Sequence, residues 1–228
     1  MNNYIFVPIG SYEQHGPHLP PDTDYLIAEK IVKSVAPNFQ GKILEGIRVG
    51  ISKEHEEFKN TKSISTSEFK YQIRETLANY SHNAKFIFVN AHGGNNKTLE
   101  IIQNQYKNKI LVLNTFSLIK NDLCNIRTSK IGGICHAGEF ETSIMLFLYP
   151  EMVKLNELKK NDVKYIPFLD PNYDNKKIEE WKTINYNKYG ILGDPFHATS
   201  KKGEMWFKLL IEKIKLKVKD YLSTMSFY

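Results

Sequence analysis

The segment Ser11-Tyr12-Glu13-Gln14-His15-Gly16-Pro17-His18-Leu19-Pro20-Pro21-Asp22-Thr23-Asp24 gathers carboxylates and imidazoles in one loop. It follows a short apolar run, Tyr4 to Ile9. Glu13 and His15 alternate, so an extended backbone points both side chains to one face. Gly16, Pro17, Pro20 and Pro21 bar a regular helix or central strand and stiffen the loop. A stiff loop rich in oxygen and nitrogen donors suits a divalent metal ion. On spacing alone, a polar surface loop is the competing account.

Two further segments carry similar chemistry. In Asn90-Ala91-His92-Gly93-Gly94-Asn95-Asn96 a strand stops, a histidine follows, and two glycines allow a sharp turn into a helix. Open N–H groups at such a helix start favour an anion. A hydrogen-bonded histidine in a tight turn is the plain structural alternative. In Cys135-His136-Ala137-Gly138-Glu139-Phe140-Glu141-Thr142-Ser143, Glu139 and Glu141 would diverge on a helix, so one of them enters a site. Glu139 fits the positive end of the helix dipole. Glu141, just before an apolar run, is the one expected inside.

The elements that must position these residues alternate. A strand over Ile5 to Ile9 is followed by a helix that starts at Thr23 or Asp24 and stops before Pro37. A strand is expected near Lys42 to Gly50, and Ser65-Thr66-Ser67-Glu68 reads as a capping box for a helix reaching about Asn79. Lys85 to Asn90 reads as a buried strand, Asn95 to Tyr106 as a helix, Lys109 to Asn114 as a strand and Glu139 to Leu148 as a helix. Residues 151–200 form an irregular excursion that covers the site or makes a subunit contact, and a last helix runs from about Lys201 to Leu222. The expected fold is a single α/β domain over residues 1–228, a three-layer sandwich with a mostly parallel sheet flanked by helices. In such sheets ligands gather beyond the carboxyl ends of the strands. The Glu13 loop and the turn after Asn90 both lie there.

Taken together the motifs resemble the creatininase family of metal-dependent amidohydrolases. The residues that carry the resemblance are Gly10-Ser11-x-Glu13-Gln14-His15-Gly16-Pro17-His18-Leu19-Pro20 with Thr23-Asp24, Asn90-x-His92-Gly93-Gly94-Asn95, and His136-Ala137-Gly138-x-x-Glu141-Thr142-Ser143. Gly190-Ile191-Leu192-Gly193-Asp194-Pro195, Ala198 and Lys202-Gly203 add weaker support. The resemblance implies two divalent metal ions per subunit, with Fe2+ first and Zn2+ or Mn2+ as alternatives. It puts Glu13, His15, Asp24 and His92 on ligand positions, with Asp24 bridging. Glu141 looks like the remaining carboxylate ligand or an acid–base group, and His136 falls on a histidine that contacts substrate or moves protons. The implied reaction is hydrolysis of a C–N amide bond by water activated between two cations.

Within the family the chain looks most like the archaeal branch that removes formate from a formylamino-ribosylaminopyrimidinone 5′-monophosphate. The expected partner is therefore a small phosphorylated pyrimidine, with creatinine or a precursor peptide as alternatives. Creatinine fits less well: Gly93 stands where creatinine hydrolysis uses a tyrosine, and no tryptophan is adjacent to His136 in sequence. Lys97, Lys53 or His55 are candidate phosphate contacts.

The 228 residues are 41% hydrophobic and 25% charged, enough for one globular core. No apolar run approaches the roughly 20 residues of a membrane helix, and no secretion signal is read at the N-terminus. Cys124 and Cys135 form no framework, which with the rest points to the cytoplasm. The net charge of +6 collects mainly on Lys208 to Lys219, interleaved with Leu209, Leu210, Ile214 and Leu216 as on the solvent face of an amphipathic helix. Neither nucleic acid nor membrane is an expected partner, and a homo-oligomer is. A non-catalytic binding module for a phosphorylated ligand or nucleic acid is the alternative from another class. A thiol amidase built on Cys135 and His136 is disfavoured because neighbouring side chains diverge.

Overall fold

The computed structural model describes residues 3–81, 83–173 and 181–224. Four strands, β1 (Tyr4–Ile9), β2 (Lys42–Ile43), β3 (Lys85–Asn90) and β4 (Ile110–Asn114), form one sheet in the order β2-β1-β3-β4. Every pairing is parallel, and β1 matches β3 along its whole length, from Tyr4 opposite Lys85 to Ile9 opposite Asn90. The helices are α1 (Thr23–Val35), α2 (Thr66–Ala78), α3 (Asn96–Gln105), α4 (Thr115–Leu118), α5 (Leu123–Ile126), α6 (Glu139–Leu148), α7 (Thr183–Tyr186) and α8 (Ser200–Thr224). None of the described helices is long and apolar enough to cross a membrane.

Period-two alternation divides the apolar residues of the central strands between two cores. Phe6, Ile87 and Val89 pack with α1, α6 and α8 through Ile31, Ile144, Trp206 and Leu210. Ile5, Val7, Ile9, Phe86 and Phe88 pack on the other side with α2 and α3 through Phe69, Ile73, Leu99 and Ile102. The result is the helix–sheet–helix sandwich that continuous apolar strands predict.

Local chemistry sets the boundaries. Ser65 accepts the Glu68 N–H while the Glu68 carboxylate accepts the Ser65 N–H, the reciprocal box that starts α2. The expected strand over Lys42 to Gly50 is shorter than its sequence implies. It pairs only at Lys42 and Ile43, and a lone bridge joins Ile47 to Ile9. Opposite it, Pro8 lacks an N–H, and Gly46 takes φ +82, packed on the Pro8 ring and carbonyl. The excursion after α6 is mostly single 3-10 turns, as its prolines and asparagines imply.

A buried ion pair ties α8 to the loop before α6. Glu139 is fully buried and accepts the Thr128 and Ser129 N–H groups, each at 2.9 Å. Lys202 donates to the same carboxylate, to Thr128 Oγ1 at 2.6 Å and to the His197 carbonyl at 2.7 Å. Removing one partner strands the other charge away from water. Lys202→Met is therefore expected to cost about 3–5 kcal/mol in denaturant unfolding, and a loss below about 1 kcal/mol would place this pair among weak surface bridges.

Candidate metal centre

Because the strands run parallel, their carboxyl ends share one edge of the sheet. The Glu13–His15 loop leaves β1 there, and His92 follows β3. Asp24 stands in the first turn of α1, and Glu141 in the first turn of α6. Glu13, His15, Asp24 and His92 are all buried. Glu141 faces the same cavity, whereas Glu139 belongs to the lysine pair described above.

Asp24 stands at the middle of the cluster. Its Oδ2 lies 3.1 Å from His92 Nδ1, which is also 3.3 Å from Glu13 Oε2. Its Oδ1 lies 3.3 Å from His15 Nε2, which is 3.8 Å from Glu141 Oε2. The ligand atoms of Glu13, Asp24 and His92 all lie within 4.8 Å of one another, and so do those of His15, His136 and Glu141. His136 Nδ1 is 3.5 Å from Glu13 Oε1 and its ring lies 4.4 Å from that of His15. The structure thus brings together Glu13, His15, Asp24, His92, His136 and Glu141.

Backbone groups fix which imidazole nitrogen is available. His92 Nε2 donates to the Ile51 carbonyl at 2.8 Å, leaving Nδ1 a lone pair toward the carboxylates. His15 Nδ1 donates to the Glu13 carbonyl at 3.0 Å, leaving Nε2 free to accept a cation. His136 Nε2 donates to the Gln14 carbonyl at 2.8 Å, so its Nδ1 faces the site. His55 differs. Gln14 Oε1 accepts the Gly16 N–H at 3.0 Å, which makes Gln14 Nε2 a donor, and that donor meets His55 Nδ1 at 2.8 Å. His55 Nε2 therefore carries a proton toward Glu13 Oε1 at 3.4 Å and holds this carboxylate instead of a cation.

The electrostatics call for positive charge. Burial pulls the His15 pKa down, but Asp24, Glu141 and Glu13 outweigh it and lift it to about 10. Burial likewise opposes, and Glu13 and Asp24 drive, a rise in the His92 pKa well above the ordinary value. Burial, with Asp24 and Glu13 as like charges, pushes the Glu141 carboxyl up to about 7 against the pull of His15. His15 Nε2 and Asp24 Oδ2 are buried without a hydrogen-bond partner. Orphaned donor atoms of nitrogen and oxygen, facing one another among carboxylates, fit divalent zinc, manganese or ferrous iron.

A cavity of about 180 Å³ opens onto the cluster. Glu54 and Trp181 line it, two residues that sequence reasoning did not place in the active centre, together with His55, which was expected only as a phosphate contact. The Trp181 ring lies 5.9 Å from that of His55, which stacks 4.2 Å from His136. Tryptophan is thus near His136 in space although distant in sequence. Among the described residues no lysine or arginine lines the cavity. Lys53 and Lys97 are exposed elsewhere, and His55 is committed to Gln14 and Glu13, so none of the three expected phosphate contacts is placed for that role. Lys97 misses because its neighbour Asn96 occupies the face of α3 that meets the cavity.

The fold is that of a manganese creatininase structure, which aligns over 96% of this chain and 91% of its own with a TM-score of 0.77 at 22% identity. The family model for creatinine amidohydrolase matches residues 1–216, and the chain belongs to the creatininase family. A mycofactocin precursor peptide peptidase from Mycobacterium ulcerans is 31% identical over 222 residues, 91% of this chain and 81% of that protein. A 2-amino-5-formylamino-6-ribosylaminopyrimidin-4(3H)-one 5′-monophosphate deformylase from Methanococcus voltae is 32% identical over 108 residues, 45% of this chain and 41% of the other. As a member of this family the chain is an amidohydrolase acting on C–N bonds.

The turn after His92 has no spare room on one side. A Cβ on Gly94 would overlap the Ile51 carbonyl and stand 2.6 Å from His92 Nε2, the two partners that orient the imidazole. Gly94→Ala is expected to cost about 1–3 kcal/mol in unfolding and to lower metal content measured by elemental analysis. Wild-type stability with full metal uptake would show that His92 tolerates the shift.

Proposed function

We propose that this chain hydrolyses a linear amide with two divalent ions. Glu13, Asp24 and His92 hold one, and His15, Asp24 and Glu141 hold the other. The observation that carries the reading is the two-sided placement of Asp24, whose oxygens face His92 and His15 separately at 3.1 and 3.3 Å. When bound, such a pair supplies an activated water near neutral pH and polarises a carbonyl.

The protein's own residues supply the rest. Gln14 and His55 keep Glu13 in place, and the Ile51 and Glu13 carbonyls keep His92 and His15 in the ligand tautomer. The Ala137 N–H holds Glu141 Oε2 at 2.6 Å. His136 presents Nδ1 to the cavity, where it can take a proton and return it to the leaving nitrogen. Cys135 also reaches the cavity wall, but its Sγ is directed at the Ile166 carbonyl at 3.8 Å, which suits packing better than attack.

For the substrate, a peptide amide is favoured. Beyond the carboxylates and imidazoles, the described cavity wall is partly apolar and carries no lysine or arginine, and the mycobacterial peptidase matches nearly the whole chain. Among the described residues nothing lies within 4 Å of a Cβ added to Gly93, which leaves room beside His92 for an extended substrate. The formylaminopyrimidine nucleotide is the second reading, supported by the methanogen deformylase match over part of the chain.

Chelated protein, reloaded anaerobically with Fe2+, Mn2+ or Zn2+, is expected to regain hydrolysis of peptides, read by mass spectrometry. Formate release from the nucleotide and creatinine turnover are measured in parallel. Full turnover by metal-free protein would defeat the proposal. Asp24→Ala is expected to lose both ions, and retention of two tightly held metals contradicts the bridge. His136→Ala is expected to keep near-normal metal while turnover falls by about 10²–10⁴. Collapse of its metal content would make His136 a ligand, a role its distance to His15 and Glu141 also accommodates.

A further inference from the structure

The geometry points to Asn96 and Asn114 as a pair of amide donors that orient the substrate through its carbonyl or carboxylate oxygens. This rests on the peptide reading and adds to it the wall that would hold the peptide away from the metal ligands.

The direction of each amide follows from backbone groups whose roles are unambiguous. Asn95 Oδ1 accepts the Ile51 N–H at 3.0 Å, and its Nδ2 donates to the Gly10 carbonyl at 3.0 Å. Asn90 Oδ1 accepts that same Asn95 Nδ2 at 3.1 Å and the His92 N–H at 3.3 Å. Asn90 Nδ2 donates to the His92 carbonyl at 2.8 Å. Asn90 Nδ2 has only two hydrogens for its three neighbours, so the Asn96 and Asn114 amides share the one left by the His92 carbonyl, and each turns its oxygen inward because an NH2 there would face donor to donor. Asn96 Oδ1 and Asn114 Oδ1 do so, each at 2.9 Å.

Both NH2 groups must then face away from Asn90. Asn96 and Asn114 line the cavity, are only half-buried, and have no side-chain Nδ2 partner among the described residues. They sit at the start of α3 and the end of β4, so the sheet edge fixes their spacing. Among the described residues the wall offers these hydrogen-bond donors with no lysine or arginine beside them. Such a surface suits the oxygens of a peptide chain or its carboxyl terminus, and a relay anchored on backbone holds the donors in place before substrate arrives.

The test uses Mn2+-loaded full-length protein and two probes, N-acetyl-glycylglycine and its carboxamide, with affinity read by titration calorimetry. Asn96→Asp with Asn114→Asp keeps an oxygen toward Asn90 Nδ2 and replaces each outward NH2 by oxygen. The double variant is expected to bind the free acid at least about tenfold more weakly. The carboxamide, which can donate in return, is expected to lose less. Metal content and melting temperature are measured on the same samples. If the new carboxylates alter metal content, Asn96→Ala with Asn114→Ala replaces them, and both probes are then expected to weaken. Affinities within twofold of wild type for either pair of variants, or no binding of either probe by the wild type, overturn the inference. Probes that bind normally to a protein that cleaves no peptide would end the hydrolase reading and leave this wall standing. Peptides cleaved with an unchanged KM by the Asp variants would do the reverse.

Discussion

Glu13, Asp24 and Glu141 converge beneath the surface, and the side chains that meet their carboxylates across the site are imidazoles, with no lysine or arginine among the described residues of the cavity wall. Burying that much negative charge is costly unless positive charge accompanies it. Protons on His15 and His92 are one answer, which is why the carboxylates raise both pKa values. Divalent cations are the stronger one, and the tautomers are already set for them. Most other features near the site keep these groups from separating. Ser11 donates to Glu13 at 2.8 Å, Asn95 spans Ile51 and Gly10, and Ala137 adopts a left-handed backbone at φ +53.

The fold supplies the rigidity this arrangement requires. Two apolar cores, one on each face of a short parallel sheet, clamp the strands whose ends carry the ligands. A hydrophobic sandwich of this kind tolerates a charged cleft at one edge because the cost is local and the packing is distributed. Gly203 serves the same end. A Cβ there would overlap the Ser143 carbonyl, so its absence lets α8 close onto α6 and set the helix that presents Glu141.

Much of this was legible in the chain. The capping box at Ser65, the apolar run Lys85 to Asn90 and the Gly-Pro-rich loop all act locally, so their signals survive without tertiary context. The metal-type residues were legible through three family motifs arriving in order, since spacing alone leaves a polar surface loop as the competing account. The second strand was overextended because its pairing depends on a proline in a different strand. His55 was misplaced for a different reason. It sits in Lys53-Glu54-His55-Glu56-Glu57, which reads as a solvated stretch, yet a 3-10 turn rotates it inward onto Gln14. Trp181 reaches the cavity from the irregular excursion, where no period marks a buried position. Lys97 misses the cavity through side-chain direction, since it follows the lining residue Asn96 and adjacent residues on a helix face about 100° apart.

The chain order of the donors has a consequence for biogenesis. Glu13, His15 and Asp24 leave the ribosome early, the His92 imidazole well after them, and Glu141 later still. The Glu13–Asp24–His92 trio can thus assemble on a nascent polypeptide once β3 has docked beside β1. The His15–Asp24–Glu141 trio must wait for α6. Under the two-ion proposal, vectorial synthesis would order metallation, with a singly loaded species preceding the complete centre.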